Sequence, residues 1–297
     1  MISILIPIYN YNVASLIEEL HGQLEFSKLE YEIVCIDDGS DIFLDKNKEI
    51  EKFENVTYKY FKNNIGRSKI RNLLAQNAKY NWLLFLDADV IPVEKNFIRN
   101  YVEAVNSNFG CVFFGGIKNP THIYDSEKLL RWKYGKAREN IKVEVRKKNP
   151  NRYFLSSNFL IRKEVFSKIQ FDERIEKYGF EDFLFGEELK NLGEKIIQLE
   201  NLVFHNGIET NSVFLRKTKE SLENLHFLKE QKFNHIENIK ILSFFKKMDS
   251  LNLTKFLSKF FIFFEGTFES NLKGKYPSLV VYDTYKLCYF CHLQQDN

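Results

Sequence analysis

Two carboxylates one residue apart, Asp87 and Asp89, stand at the end of the apolar run Trp82 to Leu86. Both are ionised at neutral pH and repel each other. A hard divalent cation relieves that repulsion, and Mg²⁺ or Mn²⁺ with oxygen ligands commonly shares its coordination with phosphates. A turn that opens with Asp explains the same residues without chemistry, so the decision rests on the rest of the chain. Asp37 and Asp38 precede Gly39 and Ser40, again a turn, yet a carboxylate there can also accept a hydrogen bond from a ring N–H. Arg67 and Arg71 lie at i, i+4 near the start of a helical stretch. Two guanidiniums beside a helix N-terminus suit a diphosphate, although a solvated basic face is the ordinary alternative. Glu181 and Asp182 open another helix, where acids favour the dipole or, in a cleft, take up a proton.

These groups need a frame. Ile2 to Ile8, Tyr31 to Ile36, Val56 to Phe61 and Trp82 to Leu86 read as strands, with helices at Val13 to Leu24 and Gly66 to Ala78. Short, near-continuous apolar strands alternating with helices imply a mostly parallel sheet covered on both faces. Ligands of such sheets bind outside the carboxyl ends of the strands. The loops at Pro7 to Asn10, Asp37 to Ser40 and Asp87 to Asp89 all fall at that edge. Further along, a helix is expected at Phe97 to Val105 and strands at Cys111 to Gly115, Phe154 to Ile161 and Lys195 to Phe204. A helix is also expected from Phe183 to Leu192, with Gly193 as its stop. Residues 118 to 152, with a basic stretch from Arg131 to Lys148, read as a mobile loop or a helix-containing insertion.

Five features in order, at Pro7 to Asn10, Asp37 to Ser40, Asn64 to Asn72, Asp87 to Asp89 and Gly179 to Asp182, resemble a family 2 glycosyltransferase of the inverting, polysaccharide- or chondroitin-making kind. The resemblance covers residues 1 to about 207. It implies a GT-A fold, a Rossmann-like and mostly parallel α/β sheet flanked by helices. The expected division is a catalytic domain at 1–210 and a helical C-terminal region at 211–297.

The resemblance also implies roles. Pro7, Tyr9 and Asn10 would line a uridine pocket. An Asp of the second motif would accept the uracil N3–H; Asp38 is preferred, with Asp37 beside it and the two not separable from sequence. Arg71, and with it Arg67, would face the diphosphate. Asp87, with Ala88, would meet the ribose or sugar, and Asp89 would bind a Mn²⁺ or Mg²⁺ that bridges the diphosphate. His205 is either structural or a third metal ligand beside Asp87 and Asp89. Asp182 would deprotonate the acceptor hydroxyl and Glu181 would orient the acceptor, although Phe180 stands where the motif has glycine. Ser156, Ser157 and Asn158 would border the sugar or acceptor pocket. The implied partners are a nucleotide-sugar donor, a UDP-sugar foremost, and a glycan or lipid-linked acceptor. A sugar-nucleotidyltransferase is a rival, but it would carry a Gly-rich basic loop after the first strand. A non-catalytic scaffold is another, against which the intact acidic motifs speak.

The remaining features are bulk ones. A net charge of only +3 gives no reason to expect nucleic acid. Cys35, Cys111, Cys288 and Cys291 are too few for a disulfide framework and are expected in the core, Cys288 and Cys291 included, since no second pair completes a zinc site. The start has no basic region or cleavage site, and no apolar run reaches membrane-span length, so a cytoplasmic protein is expected. After residue 210 glycine nearly vanishes and helical patterns take over. Leu253, Phe256, Leu257, Phe260, Phe261 and Phe264 form a stripe, with Lys255 and Lys259 on its other side. The stripe is expected to pack onto the catalytic domain or a second subunit; the alternative is a helix lying on the inner face of the cytoplasmic membrane.

Overall fold

The computed structural model describes residues 1–297 apart from 26, 28, 108, 109, 296 and 297. The chain forms two compact units. The first comprises Met1–Pro120, Glu139–Glu176 and Glu181–Gly207. The second comprises Thr121–Arg138, Lys177–Phe180 and Ile208–Asn297.

The first unit is built on strands β1 (Ile2–Ile8), β2 (Tyr31–Asp37), β3 (Val56–Tyr60), β4 (Trp82–Leu86), β6 (Val112–Phe114), β8 (Asn158–Arg162) and β9 (Ile196–Gln198). Among the described residues they pair in the order β3-β2-β1-β4-β8-β6-β9. All neighbours are parallel except β8, which runs antiparallel to both β4 and β6. A smaller sheet joins β5 (Val90–Pro92), β10 (Val203–His205) and β7 (Ile117–Lys118).

Alternate residues of each strand face opposite sides. Ile4, Ile6, Ile33, Cys35, Leu84 and Leu160 bury one face against α1 (Ala14–Glu25) and α4 (Phe97–Asn106). Leu5, Val34, Ile36, Phe85 and Phe159 bury the other against α3 (Arg67–Asn77), α7 (Lys163–Ile169) and α8 (Glu181–Asn191). Where a sheet is dry on both faces it needs apolar residues at nearly every position, which is why the central strands read as unbroken runs while the exposed edge strand β3 does not. Pro7 lies inside β1 rather than closing it. The Ile2 N–H bonds toward β2, so alternation turns Pro7 toward β4, where pairing has already ended at Leu5 opposite Phe85. The missing N–H therefore breaks no ladder bond.

Other boundaries depart from the sequence reading. Residues 154–157 are loop and β8 starts only at Asn158. The run Lys195 to Phe204 splits into β9 and β10 because Asn201 is buried between them. Its amide donates to the Phe97 carbonyl, accepts from Asn100, and its backbone carbonyl accepts from Asn158, a set no continuous strand could satisfy. Between 118 and 152 lie α5 (Leu129–Arg138) and α6 (Val143–Lys148). α6 sends Arg146 into the interior of the first unit, where it donates to Gln198 Oε1 at 2.8 Å and to the Leu199 carbonyl at 2.8 Å.

The second unit packs α9 (Asn211–Glu230), α10 (Lys240–Ser250), α11 (Thr254–Lys273) and α12 (Leu279–Leu293) with α5. Leu215, Leu222 and Leu225 are buried, as are Cys288 and Cys291 on α12. Burial pushes those thiols up to about 11 and about 12, which suits core packing. The stripe on α11 is largely left uncovered by its own chain: of its six residues only Phe261 is buried. The inward face carries Thr254, Ser258, Phe261, Phe268 and Leu272 instead.

Candidate active site

β1, β2 and β4 are neighbours and end at Ile8, Asp37 and Leu86, so their following loops meet at one edge. β8 is antiparallel, so its beginning reaches the same edge. The Asp87 N–H donates to the Ser157 carbonyl at 3.2 Å. Asn10 stitches the first loop to the second: its N–H donates to Ser40 Oγ at 2.7 Å and its Oδ1 accepts from the Asp41 N–H at 2.8 Å. Its φ of +52° suits asparagine. Tyr9 beside it is 53 % exposed, a ring held at the rim.

The two acids of the second loop part company. Asp37 is fully buried and turned inward, accepting from the Ser40 N–H and from the Tyr58 hydroxyl at 3.0 Å. Asp38 accepts from the Ile65 N–H at 2.7 Å and the Gly66 N–H at 3.1 Å, which ties its loop to the start of α3. Burial raises its pKa, and those two N–H groups oppose the rise. Gly39 lets the loops touch, since a Cβ there would stand 2.7 Å from the Asn64 nitrogen.

On α3, Arg71 is buried over the Phe171 ring and donates to Asp87 Oδ1 at 2.7 Å. Phe171 itself stacks on Phe185 with 4.4 Å between centroids, so the guanidinium rests on a rigid aromatic bed. One turn earlier Arg67 pairs with Glu181 at 2.7 Å. Asp182 follows at the start of α8. Burial first, then the Glu181 charge, push its carboxyl up to about 6, while Arg71, Arg67 and the Ser156 hydroxyl pull the other way. Asp182 Oδ1, Arg71 Nε, Ser157 Oγ and Ser68 Oγ are buried without a hydrogen-bond partner among the described residues. Buried polar atoms of this kind are attachment points for a polar ligand or water.

Asp89 opens the way into β5, and β10 brings His205 opposite Val90. The two side chains meet, His205 Nε2 to Asp89 Oδ2, at 3.0 Å. Gly207 is required beside them, because a Cβ there would lie 2.1 Å from Asp89 Oδ2. A carboxylate and an imidazole together suit Mn²⁺ when phosphate oxygens supply the rest, whereas Mg²⁺, which takes oxygen ligands, would use Asp89 without the imidazole. Asp87 is turned to Arg71, and among the described residues no three His, Cys, Asp or Glu side chains gather as a metal cage. The structure thus brings together Asp87 with Arg71, Arg67 with Glu181, and Asp89 with His205. Ala88 is buried between the two acids of its motif.

Several residues at this edge escaped the sequence reading. Asn72 clamps the 171–173 segment, donating to the Phe171 carbonyl and Glu173 and accepting from the Phe171 N–H. Its signal was its place at the end of the Asn64 to Asn72 motif. Tyr11 has its hydroxyl pKa raised by burial and by the Asp89 charge, and nothing but its neighbourhood to Tyr9 pointed to it. Asn158, which the sequence reading did name as bordering the sugar or acceptor pocket, is fully buried, donating to the Gly116 and Asn201 carbonyls and accepting from Tyr101 at 2.7 Å.

A family profile described as glycosyl transferase family 2 matches residues 3–170, more than half of the chain. The chain belongs to glycosyl transferase family 2. No curated protein matches its sequence at a significant level. Among solved structures, TarS of S. aureus superposes with a TM-score of 0.52 at 17% identity over 99% of this chain and 55% of TarS. TarS residues 1–349 in complex with UDP-GlcNAc give 0.51 at 17% identity, over 99% of this chain and 91% of that one. The mannosyltransferase PcManGT of Pyrobaculum calidifontis, in complex with GDP-Man and Mn²⁺, gives 0.51 at 13% identity, over 77% of this chain and 64% of its own. At such identities the likeness concerns the fold: this family 2 chain has the GT-A architecture, with a helical C-terminal region. It spans 55% of full-length TarS and 64% of PcManGT.

Proposed function

We propose that this chain transfers a sugar from a nucleotide-sugar, a UDP-sugar foremost, to a hydroxyl of a glycan or lipid-linked acceptor, with inversion. The observation that carries the reading is the set of paired groups at the carboxyl edge of the sheet, Arg71 with Asp87 and Asp89 with His205, together with the half-buried Asp182, whose Oδ1 is buried and unbonded among the described residues. The complexes of TarS with UDP-GlcNAc and of PcManGT with GDP-Man support a nucleotide-sugar as donor class. The proposed domain organisation is a catalytic region at 1–210 followed by helices.

In this reading the Tyr9 ring packs on the base, and Asp38 accepts its N3–H with lone pairs left over from Ile65 and Gly66. Asp87 orients the ribose or sugar, held in place by Arg71. Asp89 and His205 would hold Mn²⁺, or Asp89 without the imidazole Mg²⁺. Such an ion, when bound, neutralises charge on a departing diphosphate. Arg71 and Arg67 supply positive charge on the same side. Asp182 takes the proton of the acceptor hydroxyl while the acceptor oxygen bonds to the anomeric carbon. The bond from that carbon to the diphosphate oxygen breaks, and its electron pair leaves with the nucleoside diphosphate. Glu181, fixed by Arg67, lies next in the chain to steer the acceptor. The enzyme would work at the inner face of the cytoplasmic membrane, reached through residues 253–264.

The test is release of the nucleotide, a diphosphate from UDP-, GDP- and dTDP-sugars and CMP from CMP-sugars, with Mn²⁺, Mg²⁺ or EDTA. Metal-dependent release from one donor, lowered about a hundredfold or more by Asp182→Asn when an acceptor is supplied, is expected. Release from none of them by the folded protein would overturn the reading.

A further inference from the structure

α11 is turned inside out along its first half. Thr254 and Ser258 are 6% and 5% exposed, whereas Phe256 and Phe263, seven residues apart on the outward face, are 63% and 80% exposed. The inward hydroxyls are accommodated: Ser258 Oγ lies 3.4 Å from His292 Nδ1 on α12, and the buried Phe261 stacks on the His292 ring. The outward rings touch one another, and Phe260 also meets the buried Phe268 edge-on at 5.9 Å between centroids. Phe256 stacks on Phe260, Phe260 lies tilted against Phe264 and Phe264 meets Phe263 edge-on, a run of ring contacts along the helix. Phe244, Leu251, Leu253 and Ile262 add exposed apolar surface just before and beside it. Soluble surfaces seldom keep such a patch without a partner.

Charge decides which partner fits. Residues 240–264 hold five lysines, at 240, 246, 247, 255 and 259, against one acid, Asp249. All five lysines are exposed. The acids further along α11, Glu265 and Glu269, are occupied by Lys219 and Lys273. A second copy docking through this face would set lysines against lysines, because a two-fold contact pairs a patch with itself. Exposed aromatic rings set among lysines match the boundary between acyl chains and anionic headgroups. Among the described residues no helix is long and apolar enough to cross a membrane, so α11 would lie on the surface.

We propose that residues 240–264 dock this protein onto an anionic lipid bilayer, with Phe256 and Phe263 inserted below the headgroups and Lys246, Lys247, Lys255 and Lys259 on the phosphates. This deepens the acceptor side of the reading above and is tested without sugar or nucleotide, so its failure would remove the membrane location and leave the sugar transfer standing.

The experiment is co-sedimentation of the full chain with vesicles of phosphatidylcholine alone and of phosphatidylcholine mixed equally with phosphatidylglycerol. The expected result is binding to the mixed vesicles at least about tenfold above the neutral ones, weakening as salt is raised. Phe256→Ser with Phe263→Ser should lower it about tenfold or more without moving the melting temperature, since both rings are exposed. Lys255→Gln with Lys259→Gln should also lower it about tenfold while sparing the rings. No binding to the mixed vesicles would overturn the proposal, as would equal binding by wild type and both variants. Self-association at micromolar concentration that the double Phe variant abolishes would overturn it in favour of a second copy.

Discussion

The residue with the clearest chemical signature is Asp182, a carboxyl held up to about 6 chiefly by burial. In its proposed role as base it must be ionised, so turnover should rise with pH through about 6 and level off above it. Its effect on stability has the opposite sign. Between the ordinary value of 3.8 and about 6 the folded protein holds the proton more tightly than the unfolded chain. Stability contributed by the protonated form is therefore full below about 3.8 and lost as pH rises through about 6. Asp182→Asn should raise folding stability by on the order of 1–3 kcal/mol near pH 7, with the gain shrinking toward about pH 4. Urea unfolding of both proteins at the two pH values checks this. A variant destabilised near pH 7 would contradict the burial argument. A stabilised but inactive variant would mean that the carboxylate is kept for activity at the expense of stability.

At the scale of elements, the strands and their closing loops were legible because a sheet buried on both faces must be written in unbroken apolar runs. Breaks made by single buried polar residues were not legible. Asn201 divides β9 from β10 through bonds to three distant partners, and only the folded chain shows them. α11 misled for a related reason: periodicity reveals an apolar stripe but not which way it points, and here the hydroxyls face inward. The turn into α8 shows backbone form outlasting residue type. Phe180 has φ +72°, a left-handed conformation natural to glycine, directly after Gly179 at φ +101°. The segment is anchored by Asn224, which donates to the Gly179 carbonyl at 2.6 Å. Removing the ring by Phe180→Ala and by Phe180→Gly should then give different results. The glycine variant should be the more stable by about 1 kcal/mol or more, since it alone escapes the left-handed penalty. Thermal melts compare the pair, and an alanine variant that melts higher would refute the strained turn.

For the molecule as a whole, the sequence motifs located the edge of the sheet where the charged groups meet, and the strand order explains why they meet. The division of labour among them needed coordinates. Asp37 and Asp38 look alike in sequence, but one faces Tyr58 inside the sheet and the other clamps the start of α3. Asp87 and Asp89 look like one paired ligand set, yet Arg71 holds the first and His205 meets the second. The account stands or falls on whether that edge binds a nucleoside diphosphate through Asp89. Titration calorimetry of UDP against the wild-type chain and Asp89→Ala, each with and without Mn²⁺, tests it most directly. The account predicts binding that needs the ion and is weakened at least about tenfold, or more than 1.4 kcal/mol, in the variant. Binding of equal strength in both proteins, or none by the folded wild type to UDP, GDP, CDP or dTDP, would contradict it.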